Sequence, residues 1–139
     1  AAYHDVGFLV RRQEHELAGV TLAAARLPEF GYSAEQVTTV GELIMATRLP
    51  QSPRTPLACL LADADLDLLG RDDFLALNAK LRAELRAYGD DAADAAWYGG
   101  QLAFVAGHRY WTEAARGLRD AGKRANVARL RARLAGAGG

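Results

Sequence analysis

Apolar positions along the chain recur at helical spacing and are punctuated by proline and glycine. Leu17, Val20, Ala24 and Leu27 make one stripe and predict a helix over about residues 13–27, after a loop at 7–12. Pro28 to Tyr32 breaks the pattern. Ser33 and Gln36 then stand at capping-box spacing, opening a helix with Val37, Val40, Ile44 and Thr47 on one side. After a loop at 49–54 containing Pro50 and Pro53, Thr55 can cap a helix whose first position suits Pro56. That helix is expected over 57–70, stopped by Gly70. Asp72 or Asp73 starts the next, with Phe74, Leu77, Leu81 and Leu85 as its stripe, and Gly89 stops it near Tyr88. A helix over about 91–109 places Trp97, Gln101, Phe104 and His108 on or near one face, although Gly99, Gly100 and Gly107 weaken it. Thr112 opens a short helix ending near Gly122, a basic helix covers 123–134, and the glycine-rich end is expected to fray. No strand pattern and no internal repeat emerges. The expectation is one all-α domain over residues 1–139, a bundle of about seven helices.

The helix at 57–70 carries the informative polar residues. With an advance of about 100° per residue, Leu57, Leu61, Ala64 and Leu68 share a face, and Asp65 falls on it. Asp63 and Asp67 are expected roughly opposite, towards solvent. A carboxylate in an apolar stripe is costly unless paired, hydrogen-bonded or bound to a metal. The best partner in the sequence is the pair His4-Asp5.

Composition narrows the class. Half of the residues are apolar, with few aromatics, which favours helices. Cys59 is the only cysteine, so an intrachain disulfide and a cysteine-based metal cluster are excluded. A reducing, cytoplasmic setting is the default expectation. No apolar run approaches the roughly 20 residues that span a bilayer. The formal net charge is zero, but from Arg109 onward there are eight basic and two acidic residues, leaving the remainder acidic. Overall neutrality argues against a dedicated nucleic-acid binder. The basic end is read as a solvated helix face, with contact to phosphates or to an acidic partner as the sharper alternative.

Imidazole and carboxylate both ligate divalent first-row metals, so His4, Asp5 and Asp65 form a mixed nitrogen and oxygen set. Such a set can polarise a phosphoryl oxygen and activate a water. With these residues, the chain resembles the HD-domain superfamily of metal-dependent phosphohydrolases. Further phrases resemble one bacterial branch of it: His15-Glu16, the stretch 27–33, the stretch 43–47, the stretch 63–74, Gln101, Phe104, the stretch 108–110, Thr112 and Asn126. The resemblance covers nearly the whole chain. It implies an α-helical fold around a metal, with His4 and Asp5 matching the family's central pair and Asp65 its last aspartate. It also implies a phosphomonoester or phosphodiester substrate, nucleotides among them. The cofactor would be a divalent ion, with manganese, magnesium, iron, cobalt, nickel and zinc all open. The family's first histidine lies upstream of the His-Asp pair, whereas only three residues precede His4. The expectation is therefore an N-terminally truncated domain, for which self-association is an expected consequence of exposed apolar surface.

Second-tier residues complete the expectation. His15 and Glu16 are candidates for general base or additional metal ligand, against an exposed helix start. Arg48 and Arg71 are candidates for substrate phosphate, against a surface salt bridge. His108 is a candidate substrate-binding residue, against a hydrogen-bonded core histidine. The alternative to a phosphohydrolase is a non-catalytic regulatory or interaction domain with an incomplete metal site.

Overall fold

The computed structural model describes residues 2–138. Among the described residues it is all helical, with six α-helices and no strand: α1 (His15–Arg26), α2 (Ala34–Ala46), α3 (Pro56–Asp65), α4 (Phe74–Ala87), α5 (Asp94–Gly107) and α6 (Glu113–Gly136). Three 3-10 turns supplement them at Val6–Leu9, Leu27–Phe30 and Asp67–Gly70. The chain divides into two compact units, Ala1–Asp65 and Leu66–Gly139.

In the first unit, α1 and α2 pack around buried Ala23, Leu27 and Ile44, with Tyr3, Val20, Val37 and Val40 against them. The capping box forms as its spacing predicts. Ser33 Oγ accepts from the Gln36 amide, and the Gln36 side chain accepts from the Ser33 amide. Thr55 Oγ1 likewise accepts from the Ala58 amide at the start of α3.

Two helix faces differ from expectation for one physical reason. On α1 the buried positions are Glu16, Ala18, Gly19 and Ala23, while Leu17 and Ala24 are exposed. On α3 they are Ala58, Ala62 and Asp63, while Leu57 is 54% exposed. Small side chains let the backbones approach closely, so the contact face is the alanine and glycine face, not the leucine face. The apolar side chains Ala24, Leu43, Leu49 and Leu57, with the core-packed Val20, line an open cavity of about 1270 Å³ in this unit. Asp63, expected in solvent, is 5% exposed. Asp65 still faces inward, because it lies three residues after Ala62 and seven after Ala58. The helix expected over 57–70 ends at Asp65, and a 3-10 turn completes the stretch.

In the second unit, Leu69, Phe74, Val105 and Leu130 are fully buried, with Leu66, Leu102, Phe104 and Val127 packed around them. Buried amides pin the elements. Asn126 Nδ2 donates to the carbonyls of Leu69 and Arg71 at 3.0 and 2.8 Å. Asn78 accepts from Trp97 Nε1 at 3.1 Å and donates to Gln101 Oε1 at 2.5 Å. Asp67 is not simply solvated: it takes a forked ion pair from Arg119 at 2.5 and 3.2 Å. Gly89 closes α4 with φ 88°, as its position suggests.

The two final helices expected from the sequence are one helix of 24 residues. Gly122, read as a stop, lies inside it. A Cβ there would overlap the Gly70 carbonyl oxygen, and a Cβ on Gly70 would lie 2.5 Å from the Arg119 carbonyl oxygen. These glycines exist for close backbone approach, which outweighs their poor helix propensity.

Gly122→Ala is therefore expected to destabilise the chain by about 1–3 kcal/mol, as overpacking does. Gly117→Ala, in the same helix with open space around it, is expected to stabilise by up to about 1 kcal/mol. Denaturant midpoints of the two variants check the opposed signs.

Burial, with a smaller contribution from the Asp67 charge, pushes the Tyr110 phenol up to about 12. Its hydroxyl donates to the Leu66 carbonyl at 3.2 Å. An unfolded tyrosine ionises near pH 10, so between about 10 and 12 the folded chain holds the extra proton. Stability from this group is intact below pH 10 and falls as pH rises through that window, by about 2 kcal/mol. Tyr110→Phe is expected to lose about 1 kcal/mol at pH 8 and to lack that extra alkaline loss. Urea titrations at pH 8 and pH 11.5 measure both.

Candidate metal centre

Four segments of the first unit bring the polar cluster together. His4 and Asp5 precede the 3-10 turn at Val6–Leu9, His15 and Glu16 begin α1, Asp65 ends α3, and Gln51 lies in the loop before α3. Gly7 makes the first of these approaches possible. A Cβ on Gly7 would overlap the His15 carbonyl oxygen and sit 2.8 Å from the Gly19 nitrogen. Only a bare backbone lets the turn lie directly on the start of α1. Glu14, just before the helix, is held left-handed at φ 53°. Such a backbone costs a non-glycine residue free energy and concentrates at constrained sites.

His4 Nε2 stands 3.1 Å from Asp5 Oδ2 and 3.2 Å from Asp65 Oδ1. One imidazole nitrogen is thus shared by two carboxylates separated by sixty positions in sequence. His15 Nε2 lies 3.6 Å from Asp5 Oδ1, and its Nδ1 lies 3.6 Å from Glu16 Oε2. The His15 ring is stacked on Phe8, with centroids 3.8 Å apart and an 18° interplanar angle. Asp65 Oδ2 accepts from Gln51 Nε2 at 3.2 Å. The expected metal set and the second pair, His15 and Glu16, therefore fall in one cluster.

Burial raises the Asp65 carboxyl above the usual carboxylate range. Attraction to His4 opposes the shift, the Asp5 charge reinforces it, and the Gln51 hydrogen bond and His15 oppose it more weakly. Desolvation outweighs the opposing charges. A divalent cation beside the carboxylate would favour its ionised form.

Imidazole and carboxylate are donor types that bind such an ion. Bonds of about 2.1 Å put neighbouring ligand atoms roughly 3.0–3.4 Å apart in octahedral or tetrahedral sites. The His4–Asp5 and His4–Asp65 separations of 3.1 and 3.2 Å lie in that range. Among the described residues, no three His, Cys, Asp or Glu side chains already form a group that could hold an ion. The match is pairwise, with His4 common to both pairs, and Asp5, 57% exposed, has room to turn.

The remaining candidates have local partners. Arg48 reaches Glu14 at 3.7 Å and lines the apolar cavity of the first unit. Arg71 belongs to the second unit and forks onto Asp73 at 2.9 and 2.7 Å. His108, also in the second unit, lies edge-on to Tyr110, and its carbonyl accepts from Lys123 Nζ at 2.6 Å. Sequence reasoning missed Gln51 and the role of Gly7. A glutamine between two prolines carries no ligand signature, and a lone glycine reads as a loop.

No protein-family model, curated protein or solved structure matches the chain. No helix among the described residues is long and apolar enough to cross a membrane.

Gly7→Ala is expected to push the first turn off α1 and separate His4 and Asp5 from His15. The cost is about 3 kcal/mol or more, the upper end for overpacking against backbone. Thermal unfolding and the side-chain NMR shifts of His4 and His15 measure the two effects.

Proposed function

We propose that the chain is a metal-dependent phosphohydrolase of the HD-domain type, with His4, Asp5 and Asp65 as metal ligands. The observation that carries this reading is the single imidazole nitrogen, His4 Nε2, set between Asp5 and Asp65 at 3.1 and 3.2 Å. The resemblance of the sequence adds the reaction class: hydrolysis of a phosphomonoester or phosphodiester, with nucleotides as the first substrates to try.

A divalent ion bound there supplies Lewis-acid polarisation of a phosphoryl oxygen and lowers the pKa of a water. The chain supplies the rest. His15 Nε2 faces the Asp5 carboxylate, where an imidazole can take up or return a proton. Glu16, itself buried, lies 3.6 Å from the opposite nitrogen, and Phe8 stacks on the ring. A short approach of Glu16 would make it the group that orients the base. The HD pattern asks for a further histidine upstream of His4. Within this sequence, His15 is a second imidazole beside Asp5 and can serve as ligand instead of base. Arg48, half exposed and held by Glu14 next to His15, can neutralise non-bridging phosphate oxygens.

The test combines metal content with turnover. Protein loaded separately with manganese, magnesium, iron, cobalt, nickel or zinc is assayed on p-nitrophenyl phosphate, bis-p-nitrophenyl phosphate and nucleoside monophosphates. The expected result is metal-dependent release of p-nitrophenol from the aryl esters or of phosphate from the monophosphates, lost with the metal in Asp65→Ala and retained in Asp67→Ala. Equal metal occupancy in wild type and Asp65→Ala would sink the assignment. Metal binding without turnover on any substrate would favour the non-catalytic domain.

A further inference from the structure

Gln51 stands apart among the residues around the cluster because its carboxamide has one task completed and one open. Its Nε2 donates to the Ala62 carbonyl and to Asp65 Oδ2, both at 3.2 Å. These bonds use both amide hydrogens and tie the loop before α3 to the last turn of that helix. They also hold one oxygen of Asp65, leaving Oδ1 turned to His4 Nε2. Gln51 Oε1 is buried and finds no donor among the described residues. Exchanging the amide's oxygen and nitrogen would set an oxygen against both a carboxylate and a carbonyl, so the geometry admits one orientation. A buried acceptor without a donor costs about 1–3 kcal/mol and is unusual enough in a folded protein to require a reason.

We infer that Gln51 is the positioning residue of this metal centre, orienting Asp65 through Oδ2 and keeping Oε1 as an acceptor for a water or hydroxyl group brought with the ion. The inference rests on the metal-site reading above. It adds a residue that contributes no metal-ligating atom in that reading. Partners that orient ligating carboxylates typically change metal affinity by about 10- to 100-fold when removed.

The test uses manganese alone as the probe. Calorimetric titration is run on wild type, Gln51→Met and Asp65→Ala, with thermal unfolding of each in chelator. Methionine keeps the unbranched shape of the side chain without its hydrogen bonds. The expected result is a manganese affinity about 10- to 100-fold weaker in Gln51→Met, with a chelator midpoint lowered by only about 2–4 °C. Asp65→Ala binds no manganese on this account. A role confined to the fold would lower the midpoint further and leave affinity in the folded protein unchanged. If Gln51→Met fails to fold, Gln51→Asn replaces it. That variant keeps the amide but draws it back by one methylene, and the same loss of affinity is expected. Equal affinity in wild type and the Gln51 variant, with Asp65→Ala silent, overturns the positioning role and leaves the metal centre standing. No binding by wild type, or equal binding by Asp65→Ala, overturns the metal centre and the positioning role together.

Discussion

The first unit depends on one backbone contact, Gly7 seated on the start of α1. The absence of a side chain lets the turn at Val6–Leu9 lie against the His15 carbonyl and Gly19. That seating brings His4 and Asp5, otherwise an ordinary dipeptide, within reach of α1. Gly19 packs against Ile44 and the Tyr3 carbonyl, so the same region of bare backbone meets the core. Close approach of backbones is a shape constraint, and it sets which polar groups can converge. The proposed chemistry follows from that convergence.

Electrostatics then makes the cluster demanding. Asp65 retains an imidazole, an amide and a second imidazole as counterweights, and burial still holds its carboxyl above the usual range. The second unit solves its polar burial differently. Asn78, Gln101, Trp97 and Asn126 pair with one another or with backbone carbonyls, and Asp67 takes the Arg119 fork. There, these amides act as structural pins. In the first unit, by contrast, two imidazoles and the carboxylates of Asp5, Glu16 and Asp65 converge on one another.

Local signals in the sequence were the most legible. The capping box at Ser33, the Thr55 cap, the α2 stripe and the Gly89 stop all involve partners within a few residues, and each appears in the structure. Faces of α1 and α3 were less legible because apolarity was weighed by size. Alanine and glycine took the contact, while Leu17 and Leu57 turned outward. Gly70 and Gly122 looked like punctuation and are a close packing contact between distant segments. Asp65 was placed correctly on an inward face even though Leu57 and Ala64 of its stripe are exposed. Asp63 was not: it follows buried Ala62 and is itself buried, so α3 is covered on more than the one face that the stripe predicts. Gln51 was invisible, because its meaning depends on Asp65 and Ala62 being near it in space.

The most direct measurement is nitrogen-15 NMR of the histidine side chains during titration with zinc, a diamagnetic ion suited to imidazole and carboxylate ligands. Three histidines make the assignment tractable. The account predicts that His4 Nε2 shifts to a metal-bound position at stoichiometric zinc, that Asp65→Ala abolishes the shift, and that His108 does not move. An unchanged His4 resonance at saturating zinc would contradict the metal centre.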